Sequence, residues 1–163
     1  MFSHGSWNLY FTIALSFTVA LILSVFPLPM AMRWWRPEFV LLVAIYWIFF
    51  MPQSLSLVML CVLGLFQDLL EGVPFGQHSL ALVIVAYICI LSYQRVSNFS
   101  LFKQAGWVFI LIGIAQLTDN WVQGMAGRQL YGAQFLYAAI TSALLWPLCS
   151  WWLNLLTRRH RLR

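Results

Sequence analysis

An uncharged run of 29 residues, from Phe39 to Gln67, limits the possible fold of this chain more than any other feature. As one helix it would be about 44 Å long, whereas the hydrocarbon core of a bilayer is about 30 Å thick. Pro52 lies near the middle of the run, where it would break a helix, and Ser54 can cap the helix that follows. The run therefore predicts two membrane spans, 37–51 and 54–70, of which the first is short.

Composition supports a membrane protein. Of the 163 residues, 63% are hydrophobic and 8% are charged, whereas soluble domains carry about 25% charged residues. The net charge of +5 could suggest a nucleic-acid partner, but four of the basic residues lie in one tail after the last apolar run: Arg158, Arg159, Arg161 and Arg163. A short basic tail beside a span is typical of a topology signal near anionic lipid headgroups, so we expect a bilayer partner and no nucleic acid.

The apolar segments predict an all-α, six-helix transmembrane bundle that forms a single domain, residues 1–163. The expected spans are about 7–26, 37–51, 54–70, 78–93, 103–123 and 133–156. The first segment could be a signal peptide, but its apolar run exceeds the usual 7–15 residues and ends in Phe26-Pro27, without a small-x-small cleavage site. We therefore interpret it as a helix of the mature protein.

Charge distribution predicts the orientation. With both termini in the cytoplasm, Arg95, Lys103 and the four arginines of the tail lie inside, against Arg33, Arg36 and Arg128 outside. The positive-inside rule favours this arrangement. All four acids then lie on the outer side: Glu38, Asp68, Glu71 and Asp119.

The first polar cluster lies where the third span ends, and it contains Asp68, Glu71, Gly72 and Gly76. A carboxylate within a membrane span is costly, so we expect it to pair with an arginine or with backbone groups. At least one ion pair should join Arg33 or Arg36 to Asp68 or Glu71. Two interpretations remain open: contact with a partner or ligand, or closure of a helix-turn-helix.

The second cluster is a stripe on the fifth span, formed by Gln116, Asp119, Asn120 and Gln123 at helical spacing. It could line a transport pathway, but we favour interhelical hydrogen bonds in an assembly protein. Small residues at regular spacing also predict close helix approach, and they include Ser16, Ala20 and Ser24 on the first span and Gly106 and Gly113 on the fifth.

No pattern in the sequence indicates catalysis, a metal or a cofactor. The three histidines lie in separate regions, and His78 could serve as a polar cap after the Gly72–Gly76 turn. Cys61, Cys89 and Cys149 are odd in number and each lies in an apolar segment, which is typical of small buried side chains. Most of the nine tryptophans lie near span ends, as interface anchors do.

Several motifs resemble the MreD family of bacterial rod shape-determining membrane proteins. They are Arg36-Pro37-Glu38 at the start of a helix, Tyr46-Trp47 running to Met51-Pro52, and Gly64 followed by Asp68, Gly72 and Gly76-Gln77. The chain length, six spans and basic tail agree with that family. The stretch after Lys103 adds little to the resemblance.

The resemblance implies a non-enzymatic inner-membrane subunit of the elongasome, the complex that builds the cylindrical cell wall. The partners it implies are the single-span protein MreC and, indirectly, the MreB filament, a SEDS glycosyltransferase and a class B penicillin-binding protein. It also implies a fold similar to the substrate-binding components of energy-coupling-factor transporters. That similarity keeps an alternative open: a small-solute-binding membrane subunit of a transporter.

Overall fold

The computed structural model describes residues 4–27, 29, 35–128, 132 and 135–161, so Arg33 lies outside the described residues. Within these ranges the chain forms six α-helices and no strand. The helices are α1 (His4–Val25), α2 (Phe39–Phe50), α3 (Leu57–Glu71), α4 (Gln77–Val96), α5 (Leu101–Met125) and α6 (Phe135–Arg161). A one-turn 3-10 helix, Pro52–Ser54, separates α2 from α3.

Three segments of the described chain are long and apolar enough to cross a membrane: Gln77–Val96, Leu101–Met125 and Leu136–Thr157. The apolar part of α1, Leu9–Val25, and all of α2 are shorter. The prediction of an all-helical membrane bundle is therefore confirmed, while the crossing of the bilayer by all six helices stays a prediction.

Helix α2 forms the centre of the bundle. Every residue from Val40 to Phe49 is buried, and α2 packs against α1, α4, α5 and α6. Its two polar aromatic side chains find partners on neighbouring helices, with Trp47 Nε1 donating to Ser16 Oγ at 3.0 Å and Tyr46 Oη donating to Asn154 Oδ1 at 3.0 Å. A helix buried on all sides needs no polar face, which explains why its sequence lacks amphipathic periodicity.

Helices α3 and α4 pack closely because of Gly64. A Cβ at this position would clash with the backbone of Ser79 and His78. By contrast, a Cβ at Gly106 or Gly113 would meet nothing within 4 Å. Close helix packing at Gly106 and Gly113 is therefore absent among the described residues, and the prediction is wrong for packing inside the bundle, while Ser16, Ala20 and Ser24 are buried on α1 as expected.

Two further expectations need correction. The break at Pro52 is confirmed, but α3 begins later than predicted and is capped by Ser56, whose Oγ accepts from Val58 N, rather than by Ser54. Trp47 and Trp146 belong to the core and are not interface anchors. They are buried because each indole N–H has a partner inside the bundle, Ser16 for Trp47 and Gln104 for Trp146.

Candidate functional site

A polar cavity of about 440 Å³ opens at the end of the bundle where α1, α3 and α5 end and α2, α4 and α6 begin. All six helices or their adjoining turns contribute to its wall, and its carboxylates, amides and cations come from α3, α4, α5 and the segments beside α2 and α5. The polar or charged residues that line it, besides Ser24, are Arg36, Glu38, Glu71, Gln77, His78, Gln116, Asp119, Asn120, Gln123 and Arg128. Most of the predicted site residues, from both polar clusters, therefore meet at one cavity.

Asp68 closes the turn between α3 and α4 beside this cavity. Its Oδ2 accepts from Gly76 N, and its Oδ1 accepts from His78 N, both at 2.8 Å. His78 Nδ1 lies 2.8 Å from the same Oδ1, and because a carboxylate only accepts hydrogen bonds, this nitrogen carries the proton. Of the two predicted kinds of partner, an arginine or backbone groups, the backbone is confirmed, and the His78 ring is a third partner that the sequence did not suggest.

Two glycines make this turn possible. Gly72 ends α3 with φ +65°, and Gly76 precedes α4 with φ +91°. Both values lie in the left-handed region, where glycine avoids the steric cost of a side chain. The predicted turn is confirmed, and its geometry brings the N–H groups of Gly76 and His78 to the Asp68 carboxylate.

The expected ion pair joins Arg36 to Glu71. Arg36 Nη2 lies 2.9 Å from Glu71 Oε2, and Gln67 Nε2 donates to Glu71 Oε1 at 3.0 Å. His78 Nε2 lies 3.7 Å from Glu71 Oε2, so the imidazole stands between the two carboxylates of α3. The start of α2 is thereby fixed to the α3–α4 turn.

Glu38 connects the same layer to α5 and α6. Its Oε1 accepts from Gln116 Nε2 at 2.7 Å, and its backbone N–H donates to Ser142 Oγ at 3.0 Å. The predicted interhelical role is thus present for Gln116. The rest of the predicted stripe, Asp119, Asn120 and Gln123, also lines the cavity.

Within the described residues, three buried acceptors in the cavity wall have no hydrogen-bond partner: Asp119 Oδ1, Gln77 Oε1 and Gln123 Oε1. Leaving a buried polar group unpaired costs about 1–3 kcal/mol, so native proteins rarely do so without a reason. Asp119 is only 5% exposed, yet its carboxylate faces a polar cavity. The wall therefore suits an occupant that donates hydrogen bonds.

Sequence reasoning missed the importance of His78, Gln67 and Gln77. The signal for His78 is its position ten residues after Asp68, on the other side of a turn that contains two glycines. A histidine considered by itself, without the acid before the turn, gives no indication of this pairing. Among the described residues, no group of three or more histidine, cysteine, aspartate or glutamate side chains could hold a metal ion.

Comparisons with known proteins agree with this architecture. The family described as rod shape-determining protein MreD matches residues 6–157. A curated relative, rod shape-determining protein MreD of Haemophilus influenzae, is 32% identical over 152 residues, which cover 93% of this chain and 91% of the relative. No solved structure matches the chain. Because the family match and this relative both extend over almost the whole sequence, the chain belongs to the MreD family of rod shape-determining membrane proteins.

Proposed function

We propose that this chain is a non-enzymatic scaffold of the elongasome that binds MreC and thereby helps to position the wall-synthesis enzymes. Membership of a shape-determining family supports the general role. The unpartnered Asp119 Oδ1 in the polar cavity carries the proposal for the binding site. The enzymes reached indirectly would be a SEDS glycosyltransferase and a class B penicillin-binding protein, and the MreB filament would act from the cytoplasm.

A polypeptide segment suits the cavity because its backbone N–H groups and polar side chains can donate to the unpaired acceptors of the wall. The cavity also carries charges of both signs, with Arg36 and Arg128 against Glu38, Glu71 and Asp119. Such a mixed wall favours a segment with alternating polar groups over a simple anion or cation. In our proposal, the part of MreC next to its single span enters this cavity.

Site-specific photo-crosslinking tests the docking site. A crosslinking amino acid at Val73, which lines the cavity, should capture MreC in cells. The same amino acid at Val58, at the opposite end of α3 and 72% exposed, is the control. Capture at Val58 but not at Val73 would place the interface elsewhere on the chain.

We also propose a location in the bacterial inner membrane with both termini in the cytoplasm, so that the cavity opens on the outer side. The six-to-three distribution of basic residues supports this orientation. A reporter fused after Arg163 should be active as a cytoplasmic enzyme and inactive as a periplasmic one. The reverse result would mean that the bundle has the opposite orientation, with the cavity on the cytoplasmic side.

A second candidate function is a small-solute-binding membrane subunit. The cavity volume of about 440 Å³ supports it, because small-molecule pockets occupy about 300–1,000 Å³. Native mass spectrometry of the purified chain distinguishes the two functions. A stoichiometric small metabolite that leaves when Asp119 is replaced would favour this second function over MreC docking.

A further inference from the structure

A second cavity lies on the side of the bundle, between α1 and α6, with α2 as its floor. Its volume is about 280 Å³. Ala20, Leu42 and Leu153 line its buried part, whereas Leu148 and Trp152 are exposed at its rim. The Ser16 hydroxyl in its wall already donates to Ile13 O and accepts from Trp47 Nε1. The lining is therefore almost entirely hydrocarbon.

The dimensions of this groove decide what can enter it. On α6 it extends over the nine residues from Leu145 to Leu153, or about 12 Å at 1.5 Å per residue. Its volume of about 280 Å³ lies just below the 300–1,000 Å³ that is usual for small-molecule pockets, so it suits a slender ligand. An extended hydrocarbon chain matches the length, the small volume and the apolar lining of this groove.

The position of the groove identifies the source of such a chain. Its rim belongs partly to the segment Leu136–Thr157, which is long and apolar enough to cross a bilayer. At one end, Leu23 and Phe39 of the groove adjoin Ser24 and Glu38 of the polar cavity. The groove thus extends from the polar layer toward the middle of the bundle, as an acyl chain does from its headgroup.

We propose that this groove binds one acyl chain of a membrane phospholipid, with the ester end of the chain beside Leu23 and Phe39. The bound chain fills the gap between α1 and α6 and contacts α2 directly. It supplies the van der Waals contacts that the lining would lack if the groove were empty. This site depends on the membrane location of the chain and is independent of MreC docking.

Lipid retention tests the proposal. The full chain is reconstituted in vesicles of phosphatidylethanolamine and phosphatidylglycerol, extracted in mild detergent and weighed by native mass spectrometry. The unmodified chain should retain about one phospholipid, because a tightly bound ligand stays bound when the free ligand is diluted. Ala20→Leu fills the buried part of the groove on its α1 side and should abolish retention. Ala14→Leu, at an exposed position of the same helix, should preserve it.

A second pair of variants avoids substitution in the core. Leu148→Trp at the rim should reduce retention, whereas Leu144→Trp, one turn away and outside the groove, should not; the two leucines are 61% and 74% exposed. If Ala20→Leu fails to fold, this pair decides the question. Absence of retained lipid in the unmodified chain, or equal retention within both pairs, would overturn the proposal. A photo-crosslinker at Leu148 that captures a protein helix instead of lipid would also overturn it.

Discussion

Asp68 and Asp119 are buried carboxylates at the same end of the bundle, but their surroundings differ. Asp68, 1% exposed, receives two backbone N–H groups and the His78 ring at 2.8 Å. Asp119, 5% exposed, has one oxygen on the wall of the polar cavity for which the described part of the chain offers no partner. A buried carboxylate with three donors stabilises a local fold, whereas an unpaired one is kept at a cost in stability.

The two polar clusters therefore differ in how far hydrogen bonds within the described residues satisfy their buried carboxylates. The α3–α4 turn around Asp68 is held in one geometry, because the Asp68 carboxylate accepts hydrogen bonds from the N–H groups of Gly76 and His78 and from the His78 ring. In our proposal, the α5 wall around Asp119 receives donors from a partner, because Asp119 Oδ1 and Gln123 Oε1 have no hydrogen-bond partner among the described residues. Substitutions in and around the two clusters should therefore differ in their effect on stability, and Asp68 should be the most sensitive position.

Asp68→Ala should cause the largest loss. It leaves the N–H groups of Gly76 and His78 unpaired and removes the partner of the His78 ring, so we expect a loss of about 3–5 kcal/mol. Thermal unfolding of the detergent-purified chain measures the effect. Asp68→Asn should lose less, because its amide oxygen still accepts from the backbone. A normal melting temperature for Asp68→Ala would show that the turn does not depend on the carboxylate.

Gly64→Ala should destabilise the α3–α4 contact by about 1–3 kcal/mol, because the new methyl group meets the backbone of Ser79. Gly113→Ala is the matched control within a helix. A Cβ there meets nothing within 4 Å, so its higher helix propensity should keep or raise stability. Equal melting temperatures for the two alanine variants would contradict the close approach at Gly64.

Glu71→Gln should have a smaller effect, about 1 kcal/mol, because the Arg36 side chain in this pair is 26% exposed and partly solvated. The exchanged pair Arg36→Glu with Glu71→Arg should recover part of the loss, as a double-mutant cycle would show. Lack of recovery would mean that Glu71 acts chiefly through Gln67 and His78 rather than through Arg36.

Much of the fold was predictable from sequence because hydrophobic length and proline placement act locally. The break at Pro52 and the glycine turn each follow from a few neighbouring residues, and the Arg36–Glu71 pair follows because one helix begins and the next one ends at the same end of the bundle. The burial of Trp47 and Trp146 was not predictable, because it depends on Ser16 and Gln104 from distant helices. The meeting of the two polar clusters at one cavity depends on how α5 packs against α4 and α6, which the spacing of residues along one helix does not define.

The most direct test of the central claim is Asp119→Ala, measured for both stability and partner capture. Our account predicts a melting temperature equal to or above that of the unmodified chain, because an unpaired buried oxygen is removed. It also predicts that co-purification of MreC falls sharply at equal protein level. A variant that loses stability as Asp68→Ala does, while its folded fraction captures MreC normally, would contradict the account and make Asp119 a residue of the fold.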